Sequence, residues 1–195
     1  MAAISALAEH PKRLDKIMIS NDYNSSGIYA MNMYQLGVPF TQIVDDWLPM
    51  YNGNTVFAGL GKDGSMWAAI VEKMFAKWYG NYEHIIGGWM NLAVAALNGS
   101  PWDERSHNDN DSEIWNFIRE ADADHDIITA GSLLTCGGDS QRTPDGIACG
   151  HAYSVIQSYQ LQRANGETVK LLLMRNPWGA EDYKGKYSDS WSGWT

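Results

Sequence analysis

The chain has 195 residues, 45% of them hydrophobic, enough apolar material for one domain or two small lobes with a sizeable core. A formal net charge of -9, with only 14 Lys and Arg residues scattered along the sequence, excludes a nucleic-acid surface, which needs a concentrated basic face. No apolar run approaches the roughly 20 residues of a membrane span, and two cysteines, Cys136 and Cys149, are too few for a disulfide framework, so a reducing, cytoplasmic location is expected.

In chain order, Met1 to His10 reads as a small-residue helix with Ile4, Leu7 and Ala8 on one side, uncapped at its start and stopped by Pro11. Strand candidates follow at Gly27 to Leu36 and Val38 to Leu48, then a turn at Asn52-Gly53 and a strand near Thr55 to Ala58. Ser65 is placed to cap a helix whose apolar residues Trp67, Ile70, Val71, Met74, Phe75 and Trp78 recur at helical spacing. After Gly87-Gly88 a second apolar helix, Trp89 to Leu97, ends at Asn98-Gly99 as a left-handed C-cap would.

The polar stretch Asp103 to Asp111 has no large apolar residue and suits a connection between two lobes, with Asp111 or Ser112 capping a helix over Glu113 to Ala121. Strand signals then dominate: Ile127 to Cys136, His151 to Leu161 and Thr168 to Asn176, the last two joined at Asn165-Gly166. The organisation is therefore a helix-rich segment, 1-108, followed by a β-rich segment, 109-195, with no internal repeat.

The strongest local signal is Gly150-His151-Ala152-Tyr153-Ser154-Val155, followed 25 residues after the histidine by Arg175-Asn176-Pro177-Trp178-Gly179. The pair resembles the histidine and asparagine motifs of the calpain family, papain-like cysteine proteases in which a helical lobe faces a β-rich lobe. Val44-Asp45-Asp46-Trp47-Leu48-Pro49, Trp67 to Lys77 and Tyr79-Gly80-Asn81-Tyr82-Glu83 resemble the family's first lobe in the same order, and Gly185 to Trp194 resembles the stretch after the asparagine. The resemblance implies an α+β papain-like fold, truncated at both ends, and calcium-dependent endopeptidase chemistry on protein or peptide substrates.

That chemistry accounts for the residue types. A thiolate nucleophile needs an imidazole that forms an ion pair with it and later protonates the leaving amine, the role of His151. An asparagine carbonyl accepts a bond from the other ring nitrogen and fixes the tautomer without adding charge, the role of Asn176, while Trp178 would lie over that bond and exclude water. A symmetric hairpin about Asn165-Gly166 would, however, set His151 opposite Ala180, so a bulge or an asymmetric loop is required.

In the family the nucleophile opens the helix between the lobes, and Met1 to Glu9 resembles the continuation of that helix, so the cysteine is expected just before Met1 and the isolated chain is expected to be inactive. Neither Cys136 nor Cys149 opens a helix, and both read as buried or loop thiols. The resemblance also implies one Ca²⁺ per lobe, with Glu83 as an acidic ligand in the first and Asp182 and Asp189 in the second, further ligands and accessory domains lying outside the chain. Gly99, Gly150 and Trp178 match positions that line the substrate path. Two acidic runs, from Asp122 and from Asp109, fail as EF-hand loops because Ile127 and Ile114 stand where glycine is needed. The rivals are a non-catalytic pseudoprotease or peptide-binding module, and a Trp-rich carbohydrate-binding module, which leaves the histidine and asparagine motifs unexplained.

Overall fold

The structure, a computed structural model, describes all residues except Thr135, Glu181, Asp182 and Thr195. It is an α+β fold divided into two compact units, residues 3-106 with Met1, and residues 107-195 with Ala2.

The first unit begins with α1, Ala2–Ala8, of which it holds all but Ala2, and Ala3, Ile4, Ala6 and Leu7 are buried. Pro11 does not merely stop that helix: it opens a second one, α2, Pro11–Ile17, from the first-turn position where its missing N–H costs nothing. β1, Ile28–Gln35, and β2, Val38–Asp45, form an antiparallel hairpin about Leu36-Gly37, and the alternation along β1 buries Tyr29, Met31 and Met33. A smaller hairpin joins β3, Met50–Tyr51, to β4, Asn54–Thr55, through Asn52-Gly53, both with positive φ as a tight two-residue turn demands.

The central helix α3, Trp67–Tyr79, presents Ile70, Val71, Met74 and Phe75 to the core, while Trp67 and Trp78 are only half-buried. Lys77 Nζ donates to the Ile43 carbonyl at 2.7 Å, and Lys73 pairs with Asp45, tying the polar flank of the helix to β2. Ser65 does not cap α3: Met66 stands at the cap position with no side-chain bond, and the Ser65 amide instead donates to Asp63 Oδ1 in a preceding turn. After a 3-10 turn at Glu83–Ile85 comes α4, Met90–Asn98, which packs on β1 and ends at Gly99 with φ 70. That left-handed C-cap needs glycine twice over, because a Cβ there would also meet the Tyr34 ring at 2.9 Å.

The second unit starts with α5, Asp111–Ala123, two residues earlier than expected, because Asn110 rather than Asp111 or Ser112 is the cap; its side chain accepts from the amides of Ser112 and Glu113. The helix packs on the central strand of an antiparallel sheet ordered β5 (Ile128–Gly131), β6 (Ala152–Gln162), β7 (Thr168–Arg175). The anchor between helix and sheet is polar. Ser158 donates its amide and hydroxyl to Asp122 Oδ2 at 2.9 and 2.5 Å, and Arg119 donates to the Ser158 carbonyl at 2.9 Å.

β5 ends five residues short of the expected strand. From Ser132 the chain leaves the sheet into a long loop that returns at Gly150, with Thr143 and Ile147 closing a turn inside it. Cys136 and Cys149 are not thiols, as the sequence suggested; they pair as a disulfide across this loop, their Cα atoms 5.9 Å apart.

Candidate active site

His151 sits where the disulfide-closed loop re-enters the sheet. Its backbone is clamped by one residue that the sequence reading passed over, Ser132. The Ser132 amide donates to the His151 carbonyl at 2.9 Å, and its Oγ accepts from the His151 amide at 2.9 Å while donating to the Ala148 carbonyl at 2.5 Å. No sequence signal pointed to it, since the expected strand Ile127 to Cys136 ran straight through Ser132.

The register of the β6–β7 hairpin decides what His151 faces. From its tip, Gln162 pairs with Thr168, and the pairing runs regularly to Gln157 opposite Leu173. A bulge between Val155 and Gln157 then leaves Ile156 unpaired, so that Val155 faces Met174 and Ser154 faces Arg175. The ladder ends at Ser154 opposite Arg175, three residues after His151 and one before Asn176. The residue count allowed a bulge or an asymmetric loop, and both occur: Gln162 rather than Arg163 pairs with Thr168, and the bulge follows at Ile156.

The motif after β7 builds its own geometry. Asn176 to Gly179 form a turn closed by the Gly179 amide on the Asn176 carbonyl at 3.1 Å, with Pro177 at the position where its fixed φ is pre-set. Asn176 Oδ1 accepts from the Trp178 amide at 3.1 Å and lies 3.0 Å from His151 Nε2. An oxygen already receiving an amide is an acceptor for the ring as well, so Nε2 carries the hydrogen and Nδ1 is the nitrogen left for chemistry.

The Trp178 ring centroid lies 4.1 Å from that of His151, and the Tyr153 ring meets His151 edge-on at 5.0 Å. His151 is 9% exposed and Trp178 46%, so the indole covers the imidazole from the solvent side. Arg142, from the disulfide-closed loop, lies over the Trp178 ring with Cζ 4.8 Å from its centroid. Gly150 has φ 58, and a Cβ there would run into the Leu134 side chain, so the residue before the histidine has a structural reason to be glycine.

The structure thus brings Gly150, His151, Asn176 and Trp178 together in the second unit. Gly99 and Glu83 belong to the first unit, Asp189 lies exposed on a turn of the second, and Asp182 falls outside the described residues. Among the described residues no three His, Cys, Asp or Glu side chains group closely enough to hold a metal ion, so Glu83 and Asp189 stand in no such cluster. No described helix is long and apolar enough to cross a membrane.

An α+β fold in which an asparagine orients a histidine beneath an indole defines a papain-like cysteine protease core. The chain belongs to the calpain family: the family described as calpain family cysteine protease matches it over residues 1–195. It is 31% identical over 204 residues to the calpain-type cysteine protease ADL1 of Oryza sativa subsp. japonica, an alignment covering all of this chain and 9% of that protein. It is 29% identical over 197 residues to human calpain-12 and 31% identical over 206 residues to the human calpain-1 catalytic subunit, again over the whole chain but 27% and 28% of those proteins. The chain therefore spans less than a third of the length of these relatives.

Proposed function

We propose that the chain is the histidine- and asparagine-bearing part of a calpain-type cysteine endopeptidase, with His151 as general acid and base, Asn176 as its orienter and the nucleophilic cysteine supplied from outside these 195 residues. The observation that carries this is the 3.0 Å bond from His151 Nε2 to Asn176 Oδ1 under the Trp178 ring. With Nε2 committed to Asn176, Nδ1 is the atom that would hold a thiol proton.

The thiolate attacks the scissile carbonyl carbon, and the imidazolium gives its Nδ1 proton to the leaving amine as the C–N bond breaks, leaving an acyl-thioester. Nδ1 then takes a proton from water as the water oxygen attacks that carbonyl, and the carboxylic acid and thiol are released. Trp178 keeps bulk water from competing for the Nε2–H, which strengthens its bond to Asn176.

The pairing of Cys136 with Cys149, neither at a helix start, supports an external nucleophile and predicts that the isolated chain does not hydrolyse peptides. Protein or peptide substrates follow from the reaction, with Gly150, Gly99 and Trp178 proposed to lie along the substrate backbone. Calcium dependence, with Glu83, Asp182 and Asp189 as acidic ligands, rests on kinship alone, and no step depends on it. Calorimetric Ca²⁺ titration of the chain tests it. A cytoplasmic location rests on the low cysteine count, and there the disulfide would form only transiently or under oxidation.

The deciding experiment is to place a Gly-x-Cys-Trp helix start directly before Met1 and assay a fluorogenic peptide. Thiol-dependent hydrolysis that disappears in His151→Ala is the expected result. Hydrolysis that survives His151→Ala, or a folded graft that is inert with the His151–Asn176 bond intact, would overturn the assignment.

A further inference from the structure

We propose that Arg142 is a positioning residue for the His151–Asn176 pair, acting through Trp178, and that the Cys136–Cys149 disulfide makes this support redox-dependent. The proposal rests on the catalytic reading of His151 and Asn176 for its significance, but not for its test.

Trp178 stands on a four-residue turn and is nearly half exposed, so its own backbone does little to fix the side-chain rotamer. The ring is instead engaged by the His151 imidazole and the Arg142 guanidinium, at 4.1 and 4.8 Å. A guanidinium within about 6 Å of an indole centroid is held by the ring quadrupole, and a planar one stacks where an ammonium cannot. Arg142 is in turn fixed to its own loop, donating from Nη1 to the carbonyls of Asp139 and Gln141, at 2.5 and 3.1 Å, and bridging Ala148 through its backbone. It is therefore a braced arm, anchored in the loop and reaching the indole.

Besides the disulfide, the loop is tied by the Ala148 amide to the Tyr153 hydroxyl at 3.0 Å, by the Lys184 amide to the Asp145 carbonyl at 2.8 Å and by the Thr143–Ile147 turn. Cys149 donates its amide to Gln141, Gly150 donates to Leu133, and Ser132 holds Ala148. The disulfide links positions 13 apart in sequence, and its second cysteine is two residues from His151. Cys149 is 1% exposed, whereas Cys136 is exposed, so a reducing thiolate reaches the Cys136 sulfur. Attack there forms a mixed disulfide and releases Cys149 as the thiolate, which takes up a proton. A second thiol of the same dithiol then displaces Cys136, so two electrons and two protons pass to the protein and the reagent closes to its own disulfide. The reduced loop recovers the conformational freedom that the cross-link removed, and Arg142 leaves the indole for part of the time.

The test is NMR of the 195-residue chain with ¹⁵N-labelled histidine and tryptophan near neutral pH. It reads the solvent exchange of the His151 Nε2–H and the cross-relaxation between the His151 and Trp178 rings. In Arg142→Ala and Arg142→Gln the exchange should accelerate about five- to tenfold and the ring–ring signal should weaken, with backbone shifts in α5 and in β7 up to Met174 unchanged. Arg142→Lys should restore part of the protection, because it keeps the cation but not the stacked plane. Reduction of the wild-type protein by dithiothreitol should reproduce the acceleration, and reduction of Arg142→Ala should add little to it. Unchanged exchange in Arg142→Ala, full protection after reduction, or strictly multiplicative effects would each overturn the proposal. These outcomes are separable from peptidase activity: an inert Cys-Trp graft showing the exchange effects would sink the function alone, and an active graft without them would sink the Arg142 role alone.

Discussion

Ser132→Ala tests how the histidine is held. The substitution removes one oxygen and adds nothing, so its cost is set by what that oxygen bonded. The His151 amide loses its acceptor at 2.9 Å and the Ala148 carbonyl loses its donor at 2.5 Å, while the bond from the Ser132 amide to the His151 carbonyl remains. Ala148 is 1% exposed and His151 9%, so water does not readily replace the hydroxyl at either group. An unsatisfied buried donor or acceptor costs about 1–3 kcal/mol, and two of them with partial relaxation give a loss of about 2–4 kcal/mol. Urea denaturation followed by far-ultraviolet circular dichroism measures the loss, and native-state hydrogen exchange at Ala152 and Tyr153 locates it. A loss below about 1 kcal/mol, or one spread evenly over both units, would refute the reasoning and leave the Ser132 clamp as mere proximity.

Asp122 gives a pH signature. Burial pushes its carboxyl up, but the bonds from Ser158 and the nearby Arg119 outweigh this and hold it below the usual carboxylate range. A depressed folded-state value contributes stability above the unfolded value of about 3.9 that is lost as pH falls through the folded one. Asp122→Ala should therefore cost about 2 kcal/mol at neutral pH, with the gap to wild type closing below about pH 4 in denaturant titrations across that window. Tyr29→Phe should be neutral or slightly stabilising by thermal melting, since the Tyr29 hydroxyl is buried with no hydrogen-bond partner among the described residues. Met74→Ala, at a fully buried position in α3, should cost about 2–5 kcal/mol in the same melts.

What was legible in the sequence was whatever local chemistry decides. The apolar spacing of α3, the Gly99 cap and the Asn52-Gly53 turn all stand as read, because each depends on residues within a few positions. The same logic explains the errors. Pro11 stops one helix and starts another by the same fixed φ, and only the side chains beyond it decide which matters. Ser65 was expected to cap α3 and Asp111 or Ser112 to cap α5, yet the caps fall beside them, at Met66 and Asn110.

At the site, the His151–Asn176 pair was legible as a motif, and the need for a bulge or an asymmetric loop followed from counting, although the place of the bulge at Ile156 did not. Ser132 and Arg142 were not legible, because both come from a loop whose path is set by long-range ties: the disulfide, the Ala148 carbonyl and the face of an indole.

The bulge at Ile156 makes the site depend on whether a residue count is odd or even. Side chains alternate faces along a strand, so His151 and Asn176 share a face only because one residue of β6 goes unpaired. The hairpin tip around Asn165 can grow or shrink without reaching that relation, since the ladder between it and the bulge absorbs nothing. One residue inserted between His151 and Val155 would turn the imidazole to the opposite face of the sheet, with every contact in the distal hairpin left as it was. A change of length in this hairpin is therefore harmless at the tip and tolerable near the root only in even steps.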